Sequence, residues 1–512
     1  MECRSNWALA NWALANWART LLLACAWCSP SGLHAQPHAG SKSPVPGRPL
    51  SGQALVQSLD ALLDGNPAAR RTTITLKVVD LQSGAVLYDR GGDRLLTPAS
   101  NLKIYTSACA LDCFGPERHF PTRLVATSPI REGVLDGNLL LVGGGNAMLT
   151  SRELFDLADR VVQETKLSRV EGCFVVDNRR YDSRLKGPGW MWDDDPDYYN
   201  MPVTPLMVDF NVLTVRLTPA GQSPPRATLD PPASYPPILF QPREGPQNPY
   251  AITRQPFQHP IEVRGQGPLP RPLEKKLTMY DPGRWVAALM TRRFMKLGVK
   301  FVPPVANRAA GMKSSQQRNT RRSESRQWRL DGVSLAETLN HFHAVSENAV
   351  GEVLLHELAI AHGIRQPAWS DGARVISQWL IKTAGLEPGS FRLVDGSGLS
   401  RYNLISADAS VKLLAFMNQH RYGKIFFDSL RVYPVDLAKI EWPEKPVAKF
   451  SPERVSAKSG GMTGVATISG YAQTLAGRSL AFSLLANGFL GSNQPLHELR
   501  SQVWRLLVRY SR

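Results

Sequence analysis

Alternation of apolar and polar positions is the first ordered signal in the chain. TTITLKVVD (Thr72 to Asp80) and AVLYDR (Ala85 to Arg90) are β-rich runs joined by Leu81-Gln82-Ser83-Gly84, which predicts a hairpin. A helix is predicted next, starting near Pro98 and running through NLKIYTSACALDCF to a stop at Gly115-Pro116. From about 119 to 275 the pattern changes to short strand-like runs between turns, such as Gly137 to Gly145 and Gly172 to Asp177, with dense proline over 219–272. That stretch reads as a β-rich insertion of two subdomains.

Arg284 to Gly298 reads as a helix, and 310–329, rich in Lys and Arg, as a mobile surface loop. Helical periods return at Ser334, where Ser334-Leu335-Ala336-Glu337 has capping-box spacing. Further helices are expected over Ala349 to His362, over 372–384 before Gly385, and from Ser406 to about His420. Three strand-like runs follow, RVSAKSGG, GVATISGYAQTLA and SLAFSLLANG, and an amphipathic helix from about Pro495 to Tyr510. Strands at both ends with helices between them predict one α/β domain made of residues 36–118 and 276–512, with 119–275 inserted into it.

The first 35 residues stand apart. After the repeat NWALANWALANWA come Arg19, the apolar run Leu21 to Trp27, and Pro30, Gly32 and Ala35. A basic flank, an apolar stretch and a small-residue exit describe a secretory signal peptide. Leu22-Leu23-Ala24-Cys25 is also a loose lipid-attachment pattern, leaving an anchor at Cys25 as the alternative. The remaining cysteines, Cys109, Cys113 and Cys173, have no metal-ligand spacing and read as buried small hydrophobes.

Composition narrows the class. The 512 residues are 43% hydrophobic and 20% charged, which excludes a wholly disordered or collagen-like chain. No uninterrupted run of apolar residues is long enough for a membrane span, before or after the signal. A net charge of +17 favours acidic partners in general. Nucleic acid is disfavoured, because no basic stripe is interleaved with aromatics and export separates the chain from it.

Three short motifs carry chemistry: Ser100-Asn101-Leu102-Lys103 and Ser346-Glu347-Asn348, each at a helix start, and Lys458-Ser459-Gly460 in a β-run. S-x-x-K, S-D-N and K-T-G, in that order, mark serine acyltransfer sites. A second S-x-x-K, Ser183 to Lys186, precedes Gly187-Pro188-Gly189 and opens no helix. A serine hydroxyl needs a base, and Lys103 at i+3 lies on the same helix face as Ser100. Burial and a nearby cation, Lys458, lower a lysine pKa and make it a base. The N–H groups of Ser100 and Gly461 can hold an oxyanion. Ser346 can relay a proton to the leaving amine, Asn348 can bond Lys103 and a substrate amide, and Lys458 with Ser459 can take a terminal carboxylate. No metal or cofactor enters this chemistry.

These motifs, with the runs PASNLK, SENAVGEVLLHELA, DGSGLSRYNLIS, GPGWMWDDDPDYYNMPV and AKSGGMTGVATISGYA, resemble the class C low-molecular-mass penicillin-binding proteins, the D-Ala-D-Ala carboxypeptidase/endopeptidase family. The resemblance covers nearly all of the chain after about residue 50. It implies a penicillin-binding, serine β-lactamase-like α/β domain, its antiparallel sheet flanked by helices, plus β-rich inserted domains. It also implies a periplasmic enzyme that acts on peptidoglycan peptides through an acyl-enzyme and is inhibited by penicillin. Ser459 stands where the family has Thr, and Gly144-Gly145-Asn146 where relatives have a Gly-Asp pair. A wall endopeptidase must recognise the residue before D-Ala. If that is diaminopimelate, an acid and a base are needed side by side, and the resemblance offers Asp194 and Arg401 with Tyr199 as the wall. The alternatives are a related β-lactamase or esterase, and a catalytically inactive peptidoglycan-binding protein. Oligomeric state is left open.

Overall fold

The computed structural model describes residues 49–242, 250–256, 258–302, 326–435 and 453–511. The expected signal segment, nearly all of the lead-in before residue 50 and most of the loop expected over 310–329 lie outside the described residues. The end of that loop is corrected: Gln327–Leu330 is a strand that pairs antiparallel with Thr122–Ala126 and buries Trp328.

Two distant parts of the chain make one six-stranded antiparallel sheet. Its order is Arg431–Pro434, Glu453–Met462, Val465–Gln473, Ser479–Asn487, Thr73–Asp80, Val86–Arg90. The hairpin of the last two closes as its sequence predicts: Asp80 Oδ1 accepts from the Gln82 and Ser83 N–H groups, and Gly84 takes the left-handed turn position (φ 70°). Val465–Gln473 and Ser479–Asn487 are buried on both faces, which explains why their apolar residues run on instead of alternating. One face, with Leu76, Val455, Ala457 and Phe482, packs on helices Gly52–Gly65 and Gln494–Val508. The other, with Tyr471, Ala481 and Leu485, packs on the core of helices Lys103–Phe114, Leu335–Ala344, Asn348–Ala361, Trp369–Lys382 and Ala407–Gln419. The result is helices, sheet, helices.

A second core lies in the intervening chain. Strands Thr122–Ala126, Leu139–Val142, Phe174–Asp177 and Gln327–Leu330 form a sheet, and smaller sheets include Val212–Ala220 with Ser223–Asp230 and Leu273–Thr278. Two helices share this core, Ser151–Thr165 through Leu154, Leu157 and Val161, and Pro282–Lys296 through Trp285, Leu289 and Phe294. The stretch 119–275, expected to be β-rich, also holds a fifteen-residue helix that the reading did not include, closed at its start by a Thr150–Glu153 capping box. The second helix and Gln327–Leu330, both past residue 275, belong to this core as well.

Among the described cysteines only Cys109 is buried; Cys113 and Cys173 are exposed free thiols, which corrects the reading of all three as core residues. Cys113 sits near the end of its helix, where the turning surface leaves the core. Among the described residues no helix is long and apolar enough to cross a membrane, and no cluster of His, Cys, Asp or Glu could hold a metal.

Candidate active site

Ser100 lies in a 3-10 turn, Ala99–Leu102, that leads into helix Lys103–Phe114. The turn is clamped to the sheet: Pro98 O accepts from Asn101 N–H and from Thr467 Oγ1 (2.6 Å), and Asn101 Nδ2 donates to Ser469 Oγ (2.8 Å). Gly460 permits that approach, since a Cβ there would come within 2.4 Å of Pro98 O and 2.7 Å of Asn101 N. Ala99 (φ 48°) and Ser346 (φ 63°) are non-glycine residues in the left-handed region, each at a motif serine or next to it. Backbone strain of this kind persists only where surrounding contacts impose it.

Lys103 is fully buried and its Nζ reaches three oxygens: Ser100 Oγ (2.9 Å), Asn348 Oδ1 (2.7 Å) and Ser397 O (2.8 Å). Two of these are acceptors only. A neutral amine has two N–H bonds for them and one lone pair, and that lone pair is left facing the Ser100 hydroxyl. Burial lowers the Lys103 pKa to about 8, against the opposing pull of Asp395, Glu352 and Glu347. Lys458 is also buried. Its Nζ donates to Ser346 Oγ (2.9 Å) and Ser459 O (2.8 Å), and its pKa is pushed well below the usual lysine range by burial, then by Lys103 and Arg431.

The acceptors are themselves held. Glu352, buried one turn after Asn348, takes the Gly396 and Ser397 N–H groups and Trp369 Nε1, which fixes the Ser397 peptide against Lys103. Desolvation, with Asp395 close by, raises the Glu352 pKa. Asp395 receives the Gly398 and Ser400 N–H groups, Asn403 Nδ2 and Trp190 Nε1. Sequence reading passed over both carboxylates as site residues, though a glutamate on an otherwise apolar, buried helix was the available signal.

A cleft of about 650 Å³ opens over Ser100, lined also by Ser346, Asn348, Gly461, Thr463, Arg401, Asp194 and Tyr199. Asn348 Nδ2 donates to Tyr199 O (2.9 Å), and Tyr199 Oη to Asp194 Oδ1 (2.9 Å). The Arg401 guanidinium lies on Thr463 O (3.2 Å from each terminal nitrogen), and among the described residues no carboxylate pairs with it. The structure thus brings together Ser100, Lys103, Ser346, Asn348 and Lys458, with Gly461, Asp194, Tyr199 and Arg401 around the same cleft. Ser459 is the exception. Its Oγ accepts from Tyr433 Oη (3.2 Å), and with Gly460 it lines a different cavity. The second S-x-x-K is not helical, and its Lys186 donates to Asn200 O and Asp195.

The profile of the D-Ala-D-Ala carboxypeptidase 3 (S13) family matches residues 55–510. The chain belongs to that family. It is a serine-type D-Ala-D-Ala carboxypeptidase, as the three motifs led one to expect. The chain is 28% identical to the D-alanyl-D-alanine carboxypeptidase of Actinomadura sp. (strain R39), over 85% of its own length and 81% of that protein's. It is 22% identical to the D-alanyl-D-alanine carboxypeptidase DacB of Haemophilus influenzae, over 84% and 90% of the two chains. The crystal structure of penicillin binding protein 4 (dacB) from Haemophilus influenzae superposes with a TM-score of 0.72 at 20% identity, covering 88% of this chain and 99% of that one. The penicillin-binding α/β fold is therefore shared, and another structure of that protein holds a β-lactam.

Proposed function

We propose that Ser100 attacks the carbonyl between two terminal D-alanines of a peptidoglycan stem peptide and keeps the acyl group as an ester. The Ser100 proton passes to Lys103 Nζ as the Oγ–C bond forms. The N–H groups of Ser100 and Gly461 hold the oxyanion. Ser346 gives its proton to the departing amine and takes one from Lys458, so D-alanine leaves neutral at nitrogen; water then cleaves the ester, its proton passing through Ser346 to Lys458 while Lys103 returns its own to Ser100 Oγ. The observation that carries this reading is the buried Lys103 amine, pinned by Asn348 and Ser397 with Ser100 Oγ as its third partner.

β-Lactams acylate the same serine in this reading. The cleft's Asp194 and Arg401 support a preference for a diaminopimelate side chain, whose ammonium and carboxylate they would take, with Tyr199 as the wall. A cross-linked peptide whose donor D-Ala is bonded to a second strand fits the same chemistry, which makes endopeptidase action part of the proposal. A peptidoglycan substrate and the signal-like first 35 residues together support a periplasmic location.

The test is intact mass after incubation with benzylpenicillin, followed by mapping of the modified peptide. One adduct on the peptide containing Ser100 is expected, absent in Ser100→Ala, and D-Ala release disappears in the same variant. Labelling that persists in folded Ser100→Ala overturns the assignment. Slow loss of the adduct marks a carboxypeptidase, whereas rapid turnover of penicillin points to a β-lactamase.

A further inference from the structure

Behind the strand that carries Lys458, on the side away from Ser100, lies a second cavity of about 350 Å³ between the sheet and helix Gln494–Val508. Strand alternation creates it. Lys458 points into the helical core, and Ser459 points out with Ala457 and its partner Arg431. The cavity is lined by Arg431, Tyr433, Ser459, His497 and Arg500, and by Gly461, which also lines the catalytic cleft. Among the described residues no Asp or Glu lines it.

The two arginines sit over one ring. The Arg431 and Arg500 guanidinium carbons lie 5.3 and 5.6 Å from the Tyr433 centroid, and Arg500 also lies 4.8 Å from that of Trp504. Neither has a carboxylate partner among the described residues, and Arg500 Nε is buried with no acceptor. Burial and the neighbouring Arg431 hold the Arg500 pKa below the ordinary guanidinium value. Two cations reach one partly buried space that Ser459, Thr467 and Asn493 also line but no described carboxylate does, which leaves the site one anion short. Guanidinium forks match carboxylate and phosphate oxygens. The space equals about twelve waters' share of liquid volume, enough for a small molecule but not a polymer.

We propose that this cavity is a second binding site, for a small anion of the carboxylate or phosphate class, held between Arg431 and Arg500. Its occupant touches the back of the catalytic strand. Tyr433 Oη is the donor to Ser459 Oγ, and the residue before Ser459 is Lys458. An anion that draws Tyr433 or Arg431 toward itself changes how that strand is held, and so changes the rate at which Ser100 is acylated. This coupling rests on the function proposed above; the binding itself does not.

The full chain is titrated calorimetrically with inorganic phosphate and, separately, with citrate, at constant ionic strength in sodium chloride. One saturable site is expected for at least one probe, weakened about tenfold or more in Arg500→Gln, which removes the fork. Phosphate alone, citrate alone or both assigns the class. No saturable heat with either probe, or equal binding by wild type and folded Arg500→Gln, overturns the site. Exposed Arg431→Gln is the second variant if Arg500→Gln does not fold, and it is expected to weaken binding likewise. Repeating the titration in Ser100→Ala separates binding from catalysis. At saturating anion the benzylpenicillin acylation rate of wild type should move by about twofold or more and that of Arg500→Gln should not. An unchanged wild-type rate overturns the coupling.

Discussion

Asn348→Asp puts the proposed role of Lys103 at greatest risk, because it alters one atom at the centre of the site. Asn348 Oδ1 lies 2.7 Å from Lys103 Nζ, and the substitution places a carboxylate there with no change in shape. An opposite charge at that range raises a lysine pKa by about 1–3 units. The folded value of Lys103 is about 8, so at pH 7.5 about a quarter of the molecules carry the free amine. A rise of about two units leaves about 0.3%, a loss of roughly 75-fold in acylation at that pH. The sign follows from the free amine being the active form: the wild-type rate climbs with pH and levels above about 8, while the Asp variant continues to climb toward about 10. Stopped-flow acylation by a chromogenic β-lactam between pH 6 and pH 10 measures both curves, with Asn348→Ala as the control that removes the bond without adding charge. A parallel loss at every pH in the Asp variant, with the wild-type inflection kept, would refute the assignment of Lys103 as the base.

Other expectations follow from the same geometry. Lys103→Met removes a buried amine whose protonation, needed below its unfolded pKa of 10.5 and complete below about 8, costs about 3 kcal/mol. The melting temperature of the variant relative to wild type should therefore rise as pH falls from about 10 to about 6, and a difference independent of pH would contradict this. Asp195→Ala strands Arg254, whose NH2 lies 2.8 and 2.9 Å from the two carboxylate oxygens in a buried pair, and should destabilise by about 3–5 kcal/mol in urea unfolding. Arg401→Ala should erase most of the preference for stem peptides carrying diaminopimelate over an uncharged side chain while benzylpenicillin acylation stays near wild type; a preference that survives displaces the pocket. Gly460→Ala forces the sheet away from the Pro98 carbonyl, so the folded variant should be acylated more slowly than wild type; an unchanged acylation rate would contradict this.

What the sequence disclosed and what it withheld divide along physical lines. The hairpin Thr73–Arg90 and the three C-terminal strands were legible because β-branched runs between turn residues leave few alternatives. The contact between Ser100 and Lys103 was legible because a helix fixes the geometry of i and i+3. Helix Ser151–Thr165 was overlooked although Thr150 and Glu153 announce it; the surrounding strand signals outweighed a clear 3.6-residue period. Strand Gln327–Leu330 depends on a partner two hundred residues earlier, which no local pattern encodes. The direction of Ser459 could have been read from the strand itself, since adjacent residues face opposite sides and Lys458 had already been placed in the site. Glu352 and Asp395 act through the backbone they hold, so no short motif with Ser100 marks them.

The clamp between Pro98 and Thr467 joins residues 369 positions apart. Closing a loop of that size costs the unfolded chain about 5 kcal/mol of entropy before any contact made across it returns free energy. The intervening second core needs none of that closure, because its strands and helices find one another within residues 122–330. The order of assembly follows: the insertion can condense while the catalytic sheet still lacks its second half, and Ser100 meets Lys458 only when the last strands dock beside Thr73–Asp80. Ser100 therefore gains Lys458 and Gly461 as neighbours only once the strand that carries them is paired into the finished sheet.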